Sequence, residues 1–129
     1  LISDGDVSGA LLVTEEKHNI DLFLGTGGGP EGVLAAAALD CMGGQMQTRL
    51  VLSDQKEINR AKKLGITDLN KKYNIEDMIK GDVMFCATGV TDGDMLNGIK
   101  IKGDFFEAST FALHKSQKIS KKVTNKVKK

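Results

Sequence analysis

The stretch DLFLGTGGGPEGVLAAAAL, Asp21–Leu39, sets out a strand, a loop and a helix in one line. Ile20–Leu24 is a short apolar run bounded by Asn19 and Gly25, the pattern of a buried strand. Five glycines follow between Gly25 and Gly32. They let the backbone reach left-handed conformations and approach a ligand closely, at an entropic cost on folding. Pro30 suits the first position of a helix, whose φ it already matches, and Gly43-Gly44 stop that helix after Met42. Val33–Leu39 is apolar on all faces, so the helix is expected to pack into the interior.

The same alternation extends along the chain. Ile2 reads as the end of a strand, and Val7–Glu16 fits a helix. Ser53 is placed to cap a surface helix that stops at Gly65, and residues 67–81 read as a second polar helix with Ile75, Met78 and Ile79 as its apolar face. Val83–Ala87 reads as another buried strand, and from Ile99 onward extended strands are expected around Gly103. Strands and helices in alternation, with glycine-rich strand exits, point to a layered α/β domain. Three of those exits, SDGDVSG, GTGGGPEG and TGVTDGD, would converge on one site if they leave one sheet at the same end.

A chain of 129 residues suits one domain with a real core. At 40% hydrophobic and 27% charged residues it has the balance of a globular protein rather than a disordered one, and no apolar run reaches membrane-spanning length. Leu1 stands where a methionine would open a full chain, and no secretion signal precedes the acidic turn, so the sequence reads as cut from something longer. Cys41 and Cys86 lack CxxC spacing and read as buried, reduced thiols of a cytoplasmic protein. The net charge of +1 conceals an asymmetry. Residues 114–129 carry seven lysines and no acids, which leaves 11 basic against 17 acidic residues in the rest. This basic end lacks the interleaved aromatics and arginines of a nucleic-acid surface, and it reads as a solvated edge strand or tail.

The nucleotide readings of the glycine loop fail on spacing. Gly32 is followed by Val33 where a Walker-type loop needs lysine, and a dinucleotide fingerprint starting at Gly25 meets Pro30 where its third glycine belongs. What remains is Glu31, expected at the second helical position, where the macrodipole favours an anionic carboxylate. Glu31 either decorates a helix start or offers an oxygen to a hard divalent cation. Asp4 and Asp6 flank Gly5 and can face one pocket across a tight turn, to hold metal or sugar hydroxyls; Asp6 can also cap the helix at Val7. Asp92-Gly93-Asp94 repeats the pattern but reads as a turn. His18 and His114 have no context for a base or ligand, and no GxSxG elbow surrounds Ser3, Thr14 or Ser109. The five methionines read as packing residues.

Taken in order, ISDGDVSGA at 2–10, DLFLGTGGGPEGVLAAAAL at 21–39, GGQMQTRL at 43–50 and GDVMFCATGVTDGDML at 81–96 closely resemble the class II fructose-1,6-bisphosphatases. The order and spacing match the C-terminal half of that family up to about residue 110. The resemblance implies a layered α/β/α domain, the C-terminal half of a sugar-phosphatase fold, spanning 1–129 with 114–129 as its basic end. It implies a cytoplasmic, homo-oligomeric enzyme that removes the 1-phosphate of fructose 1,6-bisphosphate with Mg²⁺ or Mn²⁺, in gluconeogenesis and glycerol metabolism. By motif position, Glu31 matches a metal ligand, Asp4, Gly5 and Asp6 match a substrate-binding DGD, and Gly28 matches a glycine that contacts the sugar phosphate. The other metal carboxylates, the catalytic residues and the basic phosphate ligands of the family lie in an N-terminal half outside this sequence. The chain alone is therefore expected to be inactive; the alternative is a noncatalytic sugar-phosphate-binding or interaction domain derived from such an enzyme. Two departures stand out: Gly29 replaces an alanine, and the end, EASTFALHKSQKISKKV, loses the arginines and glycine of the family run.

Overall fold

Helix α1 opens the structure, a computed structural model that describes residues 6–129, Asp6 by its backbone alone. It spans Asp6–Leu12, followed by a 3₁₀ turn at Glu16–His18. The expected strand end at Ile2 lies outside the described residues. Helix α2 runs from Gly29 to Met42 and ends as its glycines dictate: Gly43 sits at φ 72°, donating its N–H to the Leu39 carbonyl. The helix begins one residue earlier than Pro30 suggests, because Gly29 already takes helical torsions after the extended Gly28.

Burial on α2 is one-sided rather than all round. Ala35, Ala36, Ala38 and Leu39 are buried, while Val33 and Leu34 are 45% and 51% exposed. The small alanine side lets the helix approach its neighbours closely, and Leu39 meets Leu11 of α1 in the same core cluster. Across from them lie Phe85, Phe111 and Leu113.

These three come from an antiparallel sheet of β3 (Met84–Thr88), β4 (Lys100–Lys102), β5 (Phe105–His114) and β6 (Ile119–Lys128). The sheet is centred on β5, which pairs with β6 along one edge and with β4 and then β3 along the other. The strands expected around Gly103 are present, with Gly103 at φ 58°, and of the two readings of the lysine-rich end, edge strand or tail, the structure shows the edge strand. Between β3 and β4 the segment 89–99 folds on itself. Asp92 Oδ1 accepts the Gly98 N–H at 2.8 Å, and Ile99 N donates to Val90 O at 3.1 Å. A Cβ at Gly98 would lie 2.6 Å from the Thr91 carbonyl carbon, so the close crossing requires glycine there. Asp92-Gly93-Asp94 thus belongs to a pinned loop, in line with its reading as a turn.

A second, two-stranded sheet pairs β1 (Gln47–Arg49) with β2 (Lys72–Asn74), and between them lies α3 (Gln55–Lys63). Several expectations are corrected here. The cap of α3 is Asp54, not Ser53: Asp54 Oδ1 accepts the Glu57 N–H, and the Glu57 carboxylate reaches back to the Ser53 N–H at 2.7 Å. Residues 67–81 form β2 and a single turn, α4 (Ile75–Met78), rather than one helix. Asn74 starts that turn, with its N–H held by Asp77 Oδ2 at 3.0 Å, while the residues before it pair with β1. Ile75, Met78 and Ile79 nevertheless pack on the core as their apolar spacing implies.

Ile20–Leu24 is not a strand; Leu22 and Leu24 are 70% and 82% exposed. Apolar content alone does not make a strand, which needs a neighbour for its backbone groups, and no described strand runs beside it. Of the three expected strand exits, SDGDVSG lies partly outside the described residues, GTGGGPEG follows no strand, and TGVTDGD follows β3. The result is a mixed α/β fold whose described strand pairs are all antiparallel. No described helix is long and apolar enough to cross a membrane.

Candidate functional site at the start of helix α2

Gly28 and Glu31 are the two candidate residues that the structure brings together. Gly28 is the extended N-cap of α2, at φ −68° and ψ 155°, and it offers the helix no capping side chain. Its carbonyl accepts the Gly32 N–H at 3.1 Å, while the Glu31 carboxylate folds back over the Gly28 Cα. A Cβ at 28 would overlap one of those carboxylate oxygens. The glycine therefore makes room for the acid at the start of the helix. The one-residue shift of the helix start puts Glu31 third rather than second in α2. There its charge still faces the positive end of the macrodipole. A second glycine, Gly25, makes room in the same way for the Phe23 ring, which would sit 2.9 Å from its Cβ.

Asp4 and Gly5 lie outside the described residues, and Asp6 is described only as the first backbone position of α1. Among the described residues no three His, Cys, Asp or Glu side chains gather as they would around a metal ion. One carboxylate does not fit a divalent cation that takes about six oxygens. The described residues alone do not complete a metal site.

The structure also assembles a group that local sequence context could not reveal. Asp82, just before β3, holds His114 at the end of β5 and Ser116 in the following turn. Its Oδ2 lies 2.8 Å from His114 Nε2 and accepts the Ser116 hydroxyl at 2.7 Å; its Oδ1 accepts the N–H groups of Ser116 and Val83 at 3.0 and 2.9 Å. The residue types are those of a hydrolytic triad, but the connections are not. Carboxylate and hydroxyl share one imidazole nitrogen, and Ser116 donates to the acid instead of to the histidine base. The group is a clasp between β3 and the β5–β6 turn. Beside it, Lys115 Nζ binds Asp40 of α2 at 2.9 Å, so the C-terminal end of α2 is tied to the same corner. The partners sit 32 and 34 residues apart, which is why only His114 was visible, and without a role.

The Ser116 hydroxyl first, then His114, hold the Asp82 carboxyl well below its usual 3.8. Because the folded value is the lower one, Asp82 contributes stability above pH 3.8 that is lost as pH falls from there toward the folded value. Asp82→Asn is expected to lower the melting temperature at pH 7 and to make it less sensitive to acid between pH 5 and pH 2.5. An unchanged acid limb in thermal melts across that range would remove Asp82 from the list of groups that set it.

The thiols do not follow the buried reading. Cys41 is half-buried, its Sγ 3.6 Å from the Val83 carbonyl, with burial pushing the thiol pKa up; Cys86 is exposed on β3. The alternating pleat explains Cys86, since its neighbour Phe85 takes the core side.

Comparison with known proteins gives the class first. The similar curated proteins are sugar bisphosphatases: a class 2 fructose-1,6-bisphosphatase of Haemophilus influenzae, 36% identical over 95% of this chain and 40% of its own length, and two proteins named D-fructose 1,6-bisphosphatase class 2/sedoheptulose 1,7-bisphosphatase. The latter are from Trichodesmium erythraeum, 39% identical over 78% of this chain and 33% of its own length, and from a Synechococcus species, 36% identical over 88% and 36%. Residues 1–127 match the family described as bacterial fructose-1,6-bisphosphatase, glpX-encoded, and the chain belongs to that family. It spans 33% to 40% of the length of these relatives.

Proposed function

We propose that this chain forms part of a metal-dependent fructose-1,6-bisphosphatase and supplies one wall of its active site. The observation that carries the reading is the Glu31 carboxylate folded over Gly28 at a helix N-terminus, in a chain of that family. Glu31 would be one of several carboxylates around Mg²⁺ or Mn²⁺, the others coming from polypeptide beyond this chain. Such ions lower the pKa of an attacking water and stabilise charge on phosphoryl oxygens. Gly28 lets the substrate phosphate approach the helix start, and Asp4, Gly5 and Asp6 hold sugar hydroxyls. The reaction is hydrolysis of the 1-phosphate of fructose 1,6-bisphosphate to fructose 6-phosphate, in the cytoplasm, as a step of gluconeogenesis and glycerol metabolism. The working enzyme is a homo-oligomer of the complete polypeptide with the layered α/β/α sugar-phosphatase fold.

The test joins this chain, in one polypeptide, to the part of the Haemophilus influenzae relative that it does not span. Phosphate release that depends on Mg²⁺ or Mn²⁺ is expected from the joined protein and not from the chain alone. Release by the chain alone would place a complete site within its own residues and refute this assignment. The alternative reading is a noncatalytic module that binds the sugar bisphosphate. Calorimetric titration of the chain alone with fructose 1,6-bisphosphate separates the two: heat of binding without turnover in the joined protein selects the module.

A further inference from the structure

The four-stranded sheet has two apolar faces, and the core helices lie on one of them. The pairing register shows which residues share each face. Phe85, Phe111 and Leu113 are buried on the helix side. The opposite face presents Met84 and Cys86 from β3, Ile101 from β4, Phe106 from β5, and Val123 and Val127 from β6, all exposed. Ile101, Phe106 and Val127 form one continuous row across three strands. A face of this kind on a water-soluble protein marks a contact surface rather than a solvated one.

Strand β6 sharpens the point. A strand with one wet and one dry side puts its charges on the wet side. In β6, Lys122, Lys126 and Lys128 share the side of Phe111, while Ile119, Val123 and Val127, with Lys121 and Asn125 between them, share the side away from the helices. Its more apolar side is therefore the one that none of the described helices covers. Continuation of the sheet past β6 is disfavoured, because lysines line that edge strand. A covering element has to lie across the face.

That element does not come from the described helices. α1, α2 and α4 join the core on the other side, and α3 buries only Ala61. Three fifths of the Haemophilus influenzae relative, by contrast, lie outside the match. We propose that the outer sheet face is the docking surface for the portion of a class II fructose-1,6-bisphosphatase that this chain does not span. This rests on reading the chain as part of that enzyme. The docking portion presents an apolar helix or sheet face, with an acid opposite Lys121, whose side chain shares the outer face with Ala112.

Cys86 reports directly on this face, since its thiol is exposed there. A Cys41→Ala chain, which keeps only that reporter, is co-expressed with the unmatched portion of the Haemophilus influenzae relative, purified through a tag on the latter, and labelled with a maleimide. Recovery of a complex in which Cys86 reacts at least ~10-fold more slowly than in the free chain supports the docking. Val123→Glu is expected to reduce the recovered complex at least ~10-fold with the circular dichroism of the chain unchanged, because it would bury an unpaired charge. A complex in which Cys86 reacts at the free rate overturns the proposal, as does the absence of any complex. Protection of Cys86 in the chain alone, rising with concentration as it sediments as a dimer, also overturns it and assigns the face to a second copy. Phosphate release is read separately. An active complex with a reactive Cys86 leaves the enzymatic reading intact and discards the docking face, whereas a protected but inactive complex supports the docking face and discards the enzymatic reading.

Discussion

Glu31→Gln, introduced into the joined enzyme, is expected to lower metal-dependent phosphate release at least ~100-fold, since even residues one shell removed from a metal cost 10–100-fold when changed. The substitution keeps the size of the side chain and one carbonyl oxygen. It removes the negative charge, and a neutral amide is a weak ligand for a hard divalent cation. The side chain is exposed, so the fold loses little: about 0.3–1 kcal/mol from the interaction with the helix dipole. Activity should therefore collapse while the melting temperature stays nearly constant, with higher Mn²⁺ restoring part of the rate. Full activity in Glu31→Gln at low metal would take Glu31 out of the coordination shell and leave it a helix-start residue.

Leu113→Ala is expected to cost the chain about 3 kcal/mol of stability, within the range for truncating a buried leucine. Leu113 is 1% exposed, stands opposite Phe85 in the register, and belongs to the cluster that joins the sheet to α2. Its removal leaves a cavity that cannot be closed from the strand side, because the Asp82 clasp fixes β3 against the β5–β6 turn. Against a total of roughly 5–15 kcal/mol the loss is large. Urea unfolding measures it directly; a change below about 1 kcal/mol would mean that the core is not centred on this layer. Val123→Ala on the open face of the same sheet serves as the contrast, with an expected change within about 0.5 kcal/mol in the isolated chain.

What could be read in advance divides along one physical line. Features written in a few neighbouring residues were legible: the end of α2 at Gly43, the turn at Gly103, the strand after Val83, and the lysine-rich end as an edge strand. Features that depend on a distant partner were not. Ile20–Leu24 has the composition of a strand and no described strand to pair with. Lys72–Asn74 has the polarity of a helix face yet pairs with Gln47–Arg49. The choice of Asp54 over Ser53 as cap is a competition between two adjacent side chains that spacing alone does not decide. At the site, motif order points to Gly28 and Glu31 without showing that the carboxylate lies over the glycine. The clasp of Asp82, His114 and Ser116 was invisible because its members meet only through the sheet.

The ten consecutive pairs of β5 and β6, closed by the short turn at residues 115–118, carry a consequence for the order in which the molecule acquires its shape. Closing a loop of that length takes about 10–100 ns and little entropy, whereas β3 must wait for the whole 89–109 excursion before it can pair with β5. The hairpin is therefore the expected folding nucleus, with β3 and α2 condensing onto it. Substitutions at Phe111 should slow refolding, while those at Ala36 should chiefly speed unfolding. Stopped-flow chevrons showing the reverse pattern would relocate the nucleus to the helices. The lysine-rich end, read from composition as a solvated edge strand or tail, is on this account the strand that lets the rest assemble.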